Sequence, residues 1–230
     1  MAPPVVLPVV LSVIAGSTDV IGFLGLNGLF TSHITGNLVV LAAHVAGGID
    51  GLMSRILAVP VFIVVLALTV ALADSVEAIG LASLRPLLLL QFLLLAGCLV
   101  VCVALGPQVD PNTKGAVVAG MAGVSAMAVQ NALVRISLKG TPSTAVMTTN
   151  VVHFAVDIGM VLRGGDSADV AEARNRARHT LTVIVGFAAG CGVGAACEVP
   201  FGLWSLALPV GLALLALAIG FVVNPDGEGS

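Results

Sequence analysis

The chain reads as an all-α integral membrane protein of two inverted repeats, each with three transmembrane helices and a short re-entrant half-helix. Three observations predict this. Of 230 residues, 58% are hydrophobic and only 9% charged, with a mean hydropathy of +1.14, whereas soluble domains carry roughly 25% charged residues. Several apolar runs reach the roughly 20 residues a helix needs to cross a bilayer, and the alternating ten-residue pattern of a membrane β-barrel is missing. Two polar segments at matching places in the two halves also look like copies of each other. One is Thr35-Gly36-Asn37 leading into 38–47, and the other is Thr148-Thr149-Asn150 leading into 150–162.

The first repeat is expected over 5–106 and the second over 115–223, in one membrane domain with a polar tail at 224–230. A first span covers 5–27, broken at Ala15-Gly16-Ser17-Thr18-Asp19, and a polar stretch from Asn27 to Asn37 precedes a half-helix at 38–47 that Gly47-Gly48 ends. The next span, 55–79, carries Pro60 and closes on Asp74 and Glu77, and Arg85-Pro86 opens a run to 105 that Gly106-Pro107 closes. After Asp110-Pro111-Asn112 the order recurs. A span at 115–136 carries Gln130 and Asn131, a polar stretch follows at 139–149, and a half-helix occupies 150–162. A soluble loop from Gly164 to Arg178, with Arg174 and Arg176, then leads to spans at 179–197 and 202–223. Met1-Ala2-Pro3-Pro4 runs straight into apolar sequence without a positive leader, so no removable signal peptide is expected. The register of the duplication pairs Asn37 with Asn150, His44 with Asp157, Arg55 with Arg176, Glu77 with Glu198, and Ala15-Gly16 with Ala122-Gly123.

A helix over 38–47 is about 15 Å long, half the hydrocarbon thickness. If both short helices dip in and return, each half has an odd number of spans and the halves are inverted. If they cross, the chain has eight spanning helices in two parallel four-helix repeats. Cytoplasmic loops carry an excess of Lys and Arg. The six-pass arrangement puts Arg85, Arg135, Lys139, Arg163, Arg174, Arg176 and Arg178 inside against Arg55 and Lys114 outside, seven to two, whereas eight passes give six to three. Six passes are therefore preferred, with both termini cytoplasmic.

The N-terminal end of a helix carries partial positive charge and free N–H groups. Asn37 and Asn150 are expected to cap the half-helices or to offer their amides to a solute, with Thr35, Thr148 and Thr149 beside them. Positions seven apart share a helix face, so Asn37 and His44 form one polar stripe, and Asn150 and Asp157 another with His153 beside it. The two stripes are expected to line one solvated cavity at mid-membrane. Asp19 falls about 15 residues into the first span, where an ionised carboxylate needs a partner or water, and reads as a proton-coupling or solute-contact group. The candidate solute-binding set is Asn37, Asn150, Thr35, Thr149, Asp19, His33, His44, His153 and Asp157.

Other chemistries find less support. His33, His44, His153 and Asp157 are spread over two half-helices without a thiolate nearby, a pattern that suits cavity lining better than a metal. Cys98, Cys102, Cys191 and Cys197 lie in apolar spans and read as small buried hydrophobes. The glycines from Gly186 to Gly194 read as close-packing positions. There is no P-loop, nucleophile elbow or His-Glu-x-x-His motif, so no catalytic residue and no cofactor is assigned. No basic patch interleaved with aromatics points to nucleic acid. The expected partners are the lipid bilayer and a small-molecule or ion solute, and a homo-oligomer is compatible with the sequence.

Gly16-Ser17-Thr18-Asp19, followed by Phe30, His33 and Thr35-Gly36-Asn37, resembles the N-terminal signature of the YoaK family. The resemblance extends along nearly the whole hydropathy profile. It implies a multi-pass bacterial cytoplasmic-membrane protein with a role in transport, and brings neither a substrate nor catalytic residues. One departure from internal symmetry is Ala126, which stands where Asp19 would recur. The expected function is passage of a small solute by a gradient-driven transporter or narrow channel. The rival readings are a membrane-embedded enzyme acting on a lipidic substrate and a non-transporting sensor or assembly protein.

Overall fold

The structure is a computed structural model describing residues 6–47, 52–106, 110, 113–164 and 167–222. Met1-Ala2-Pro3-Pro4, the Gly47-Gly48 stop beyond Gly47, Pro107 of the Gly106-Pro107 stop, Pro111-Asn112 of the loop between the halves and the tail at 224–230 lie outside the described residues. All described secondary structure is helical: α1 (Val6–Gly25), α2 (Ile34–Gly47), α3 (Leu52–Ala78), α4 (Leu84–Leu105), α5 (Lys114–Ser137), α6 (Met147–Arg163), α7 (Ser167–Phe201) and α8 (Ala207–Val222), with a 3₁₀ turn at Gly202–Leu206. Among the described residues, five stretches are long and apolar enough to cross a membrane: Val6–Gly25, Met53–Ala78, Leu84–Leu105, Lys114–Ser137, and Ala168–Val222, which holds both α7 and α8.

Side-chain contacts give each long helix a direction. Gly16 faces the Phe187 carbonyl, Gly190 faces Val13, and Gly194 lies on Ser17 and Val20, so α1 and α7 run parallel. Ser83 meets Ser137 at 3.0 Å, Gln91 donates to Gln130 at 2.7 Å and Cys98 donates to the Ala119 carbonyl at 3.2 Å, so α4 and α5 run antiparallel. The Gln130 amide donates to the Leu11 carbonyl at 2.8 Å, while Gly120 packs on Leu26 and Leu29. Hence α5 is antiparallel to α1. At the far end of α1, Gly25 abuts Leu203 and Glu198. At the near end, Arg85 Nε donates to the Gly220 carbonyl at 3.1 Å, which orients α8 against α1. α3 begins with Arg55 against Gly28 and ends where Ser83 donates to Glu77 at 2.7 Å. Thus α1, α4 and α7 point one way and α3, α5 and α8 the other.

The packing has the same pattern in both halves. α1 lies on α7 as α5 lies on α3, α2 on α3 as α6 on α7, and α4 on α5 as α8 on α1. α2 falls between the end of α1 and the start of α3, which share one end of the bundle. α6 falls between the end of α5 and the start of α7 at the opposite end.

Apolar side chains fill the interior and also cover much of the outside, while several polar groups are buried. Ser12, Ser17, Thr18, Asp19, Gln91 and Gln130 are buried, whereas Ile63, Val64 and Leu68 of α3, Leu93 and Val100 of α4, and Leu214 and Leu215 of α8 face outward. A hydrocarbon exterior, with polar groups held inside, is what a bilayer demands. The polar run in the first span does not break it. Ser12, Ser17 and Thr18 donate to the carbonyls of Pro8, Val13 and Ile14, four residues back, and α1 continues through them.

Two expectations need correction. The loop read from Gly164 to Arg178 is helical from Ser167 onward. Its Ala, Glu and Arg residues are strong helix formers, Asp169 sits in the first turn, and Glu172 pairs with Arg176 one turn on at 2.8 Å. α7 is thus about 52 Å long at 1.5 Å per residue, well beyond a bilayer core. The half-helices also begin earlier than expected, at Ile34 and Met147. Asn37 and Asn150 are therefore fourth residues of their helices and not N-caps.

Candidate functional site

The segment between α1 and α2 is hung on a buried carboxylate. Asp19, 3% exposed, accepts through Oδ1 from the Thr31 amide at 2.7 Å, the Ser32 amide at 2.8 Å and the Thr31 hydroxyl at 3.2 Å. Its Oδ2 hydrogen-bonds His33 Nδ1. The His33 ring lies edge-on to Phe187 of α7, with ring centroids 5.5 Å apart. Four hydrogen bonds and a potential cation explain how an acidic residue is accommodated inside an apolar bundle.

The second half solves the same problem with an amide. Thr144 stands 113 residues after Thr31, the offset that pairs Asn37 with Asn150. Its hydroxyl accepts from Gln130 Nε2 at 2.9 Å, and Gln130 Oε1 accepts from Gln91. Gln130 lies one turn beyond Ala126, the helical counterpart of Asp19. A carboxylate thus organises one half and a neutral carboxamide the other.

Each half-helix asparagine reaches back seven residues. Asn37 clasps Phe30 twice: Nδ2 donates to its carbonyl at 2.7 Å, and Oδ1 accepts from its amide at 2.9 Å. Asn150 donates to the Ser143 carbonyl at 2.6 Å, and among the described residues no donor reaches its Oδ1. The first clasp is closed and the second is half made.

That difference coincides with a cavity of about 800 Å³ bounded by α6, the first part of α7, the 139–143 turn and the start of α1. Thr149, Asn150, His153 and Asp157 line one wall, and Asn175, Arg176, His179 and Thr180 the facing one. Lys139, Thr141 and Ser143 close a third side, with Pro8, Val9, Val156 and Val183 as apolar lining. Asp157, 6% exposed, accepts on Oδ1 from Arg176 Nη2 at 2.9 Å and Nε at 3.2 Å.

The corresponding α3 face of the first half is buried. Counterparts by register are Ser54, Arg55 and Ala58 for Asn175, Arg176 and His179, and these are 8%, 1% and 0% exposed. Asn37 is 0% exposed, and His44, opposite Asp157, bonds the Val40 carbonyl of its own helix at 2.7 Å. Of the residues expected to line one site, the structure brings Thr149, Asn150, His153 and Asp157 together. Asp19, His33 and Asn37 gather at a separate node, with Thr35 exposed beside it and His44 further along α2. Among the described residues no three His, Cys, Asp or Glu side chains converge.

Lys139, Asn175, Arg176, His179 and Thr180 were not in the candidate set. Arg176 was legible in principle, since its register partner is Arg55 and the acidic Asp157 has no equivalent in α2. A family model described as a protein of unknown function, DUF1275, matches residues 7–219. The chain therefore belongs to this family, the YoaK family. No curated protein and no solved structure matches it.

Proposed function

We propose that this chain is a non-enzymatic, gradient-driven transporter of a small solute in the bacterial cytoplasmic membrane, working by alternating exposure of two inverted repeats. One observation supports the reading: a cavity lies open between α6 and α7 in the second half, while the register-matched α3 positions Ser54, Arg55 and Ala58 in the first half are buried. A channel needs both half-sites hydrated together, whereas a transporter holds one closed while the other is open. The helix directions support inversion, because α1, α3 and α4 run opposite to α5, α7 and α8 respectively. The end bearing Arg85, Arg135, Lys139 and the α7 arginines is then cytoplasmic by charge. The open cavity faces the cytoplasm.

In this reading Thr149, Asn150 and His153 contact the solute, and Asp157 holds Arg176 in the wall. Asp19 and His33 form the protonatable element, seated against α7 through Phe187. Asn37, Thr35 and His44 belong to the half-site that opens to the periplasm in the alternate state.

The test uses register-matched single cysteines, Asn175→Cys and Ser54→Cys, with Cys98, Cys102, Cys191 and Cys197 replaced. An impermeant maleimide is applied to inside-out vesicles and to spheroplasts. The expected result is rapid labelling of N175C from the cytoplasmic side only, with S54C at least about tenfold slower from outside. Equal labelling of both positions from opposite sides would mean a continuous pore. Protection of N175C from both sides would mean that no aqueous cavity exists, and transport would fall with it.

A further inference from the structure

We infer that the cavity takes a small organic anion, a carboxylate-bearing molecule with an apolar portion; this rests on the transporter reading of the same site. The argument is the distribution of charge around the space. Two permanent cations line it, Lys139 and Arg176, against one carboxylate, Asp157. That carboxylate is already engaged: Arg176 donates to it twice, and a third Arg176 nitrogen goes to Glu172 at 2.8 Å. Lys139 forms no ion pair among the described residues and is exposed at the rim. The lining therefore carries a net charge of +1 with its two histidines neutral, and more with either protonated.

An arriving cation would meet Lys139 and Arg176 with no uncommitted carboxylate to receive it. An anion would meet an unpaired ammonium together with donors not yet spent. Thr141 Oγ1 is buried with no hydrogen-bond partner, and Thr141, Thr149 and His153 are all lining residues. Positive clefts with low-dielectric walls concentrate anions, and a buried donor without an acceptor is costly until a ligand supplies one. Val9, Val156 and Val183 add aliphatic lining among these polar groups, which suits an apolar portion. About 800 Å³ is ample for a molecule of this kind.

Thermal unfolding of the purified full chain in detergent tests this with butyrate and succinate as probes, choline and glycerol as comparisons, at constant ionic strength. Lys139→Gln removes the unpaired charge at an exposed position, and Lys114→Gln removes one at the opposite end of the bundle. The expected result is a rise in Tm of about 3 °C at roughly ten times the dissociation constant. It should occur with at least one carboxylate, persist in K114Q and shrink at least severalfold in K139Q. Equal shifts in K139Q and K114Q, absence of any carboxylate shift, or stabilisation by choline or glycerol alone would overturn the anion assignment. The accessibility of N175C and S54C would be untouched by that failure, so the two readings fall separately.

Discussion

At the scale of single residues, the half-helix asparagines act first on their own backbone. Asn37 satisfies both polar groups of Phe30, and in an apolar bundle those groups have no water to turn to. Asn37→Ala strands a donor and an acceptor, for a loss of about 1–2 kcal/mol, whereas Asn150→Ala strands one acceptor, for about half that. Unfolding in mixed micelles by denaturing detergent reads both; equal losses, or a neutral N37A, would refute the closed-versus-half-made distinction. The sequence pointed to these two positions because polar residues are rare in such spans and these recur. Their role was not legible, because an i to i−7 bond depends on how residues 30–36 and 143–149 fold back onto the helix start, which no local propensity fixes. The same holds for Gln130. Its equivalence to Asp19 is spatial, displaced by a helical turn, and an alignment of letters puts Ala126 there instead.

At the scale of elements, hydropathy located the apolar cores of α1, α3, α4 and α5 to within a few residues, since burial in lipid and helix length are coupled by the bilayer itself, but it placed the start of α7 twelve residues late. Charge density was the misleading signal, for the arginine-rich start of α7 is polar and helical at once. Once inside the bundle, α7 meets α1 backbone to backbone. A Cβ on Gly16 would come within 2.2 Å of the Phe187 carbonyl oxygen, and one on Gly190 within 2.4 Å of the Val13 carbonyl oxygen. Gly192 has nothing within 4 Å. Gly190→Leu is therefore expected to force the helices apart, at a cost of about 3 kcal/mol or more, whereas Gly192→Leu is near neutral. Folded yield by size exclusion and Tm distinguish them. Similar behaviour of the two variants would mean that the α1–α7 seam is not the close contact described. Sequence reading identified the glycine-rich segment as a packing stretch, yet which glycines touch depends on the rotation of α7 about its axis.

At the scale of the whole molecule, the decisive relation is between α1 and α5, the first helices of the two halves. Parallel repeats would set them in the same direction. Here Gln130 bonds to Leu11 near the start of α1, while Gly120 packs on Leu26 and Leu29 at its end. That supports six crossings, with α2 and α6 returning to the side they left. The consequence concerns Lys139 and Arg174. With six crossings, α6 starts and ends on one side, so the turn after α5 and the start of α7 share a compartment. With eight, α6 separates them across the bilayer. Lys139 and Arg176 line one cavity, which favours a shared compartment. Cysteines at Lys139 and Arg174, each alone on the cysteine-free background, should therefore react with impermeant maleimide from the same, cytoplasmic side. Labelling from opposite sides would impose eight crossings and remove the inversion. The asymmetry between an open and a buried half-site would then lose its meaning as two states of one cycle. The repeat register alone was silent on this point, because a duplicated sequence reads the same whether its copies lie parallel or inverted.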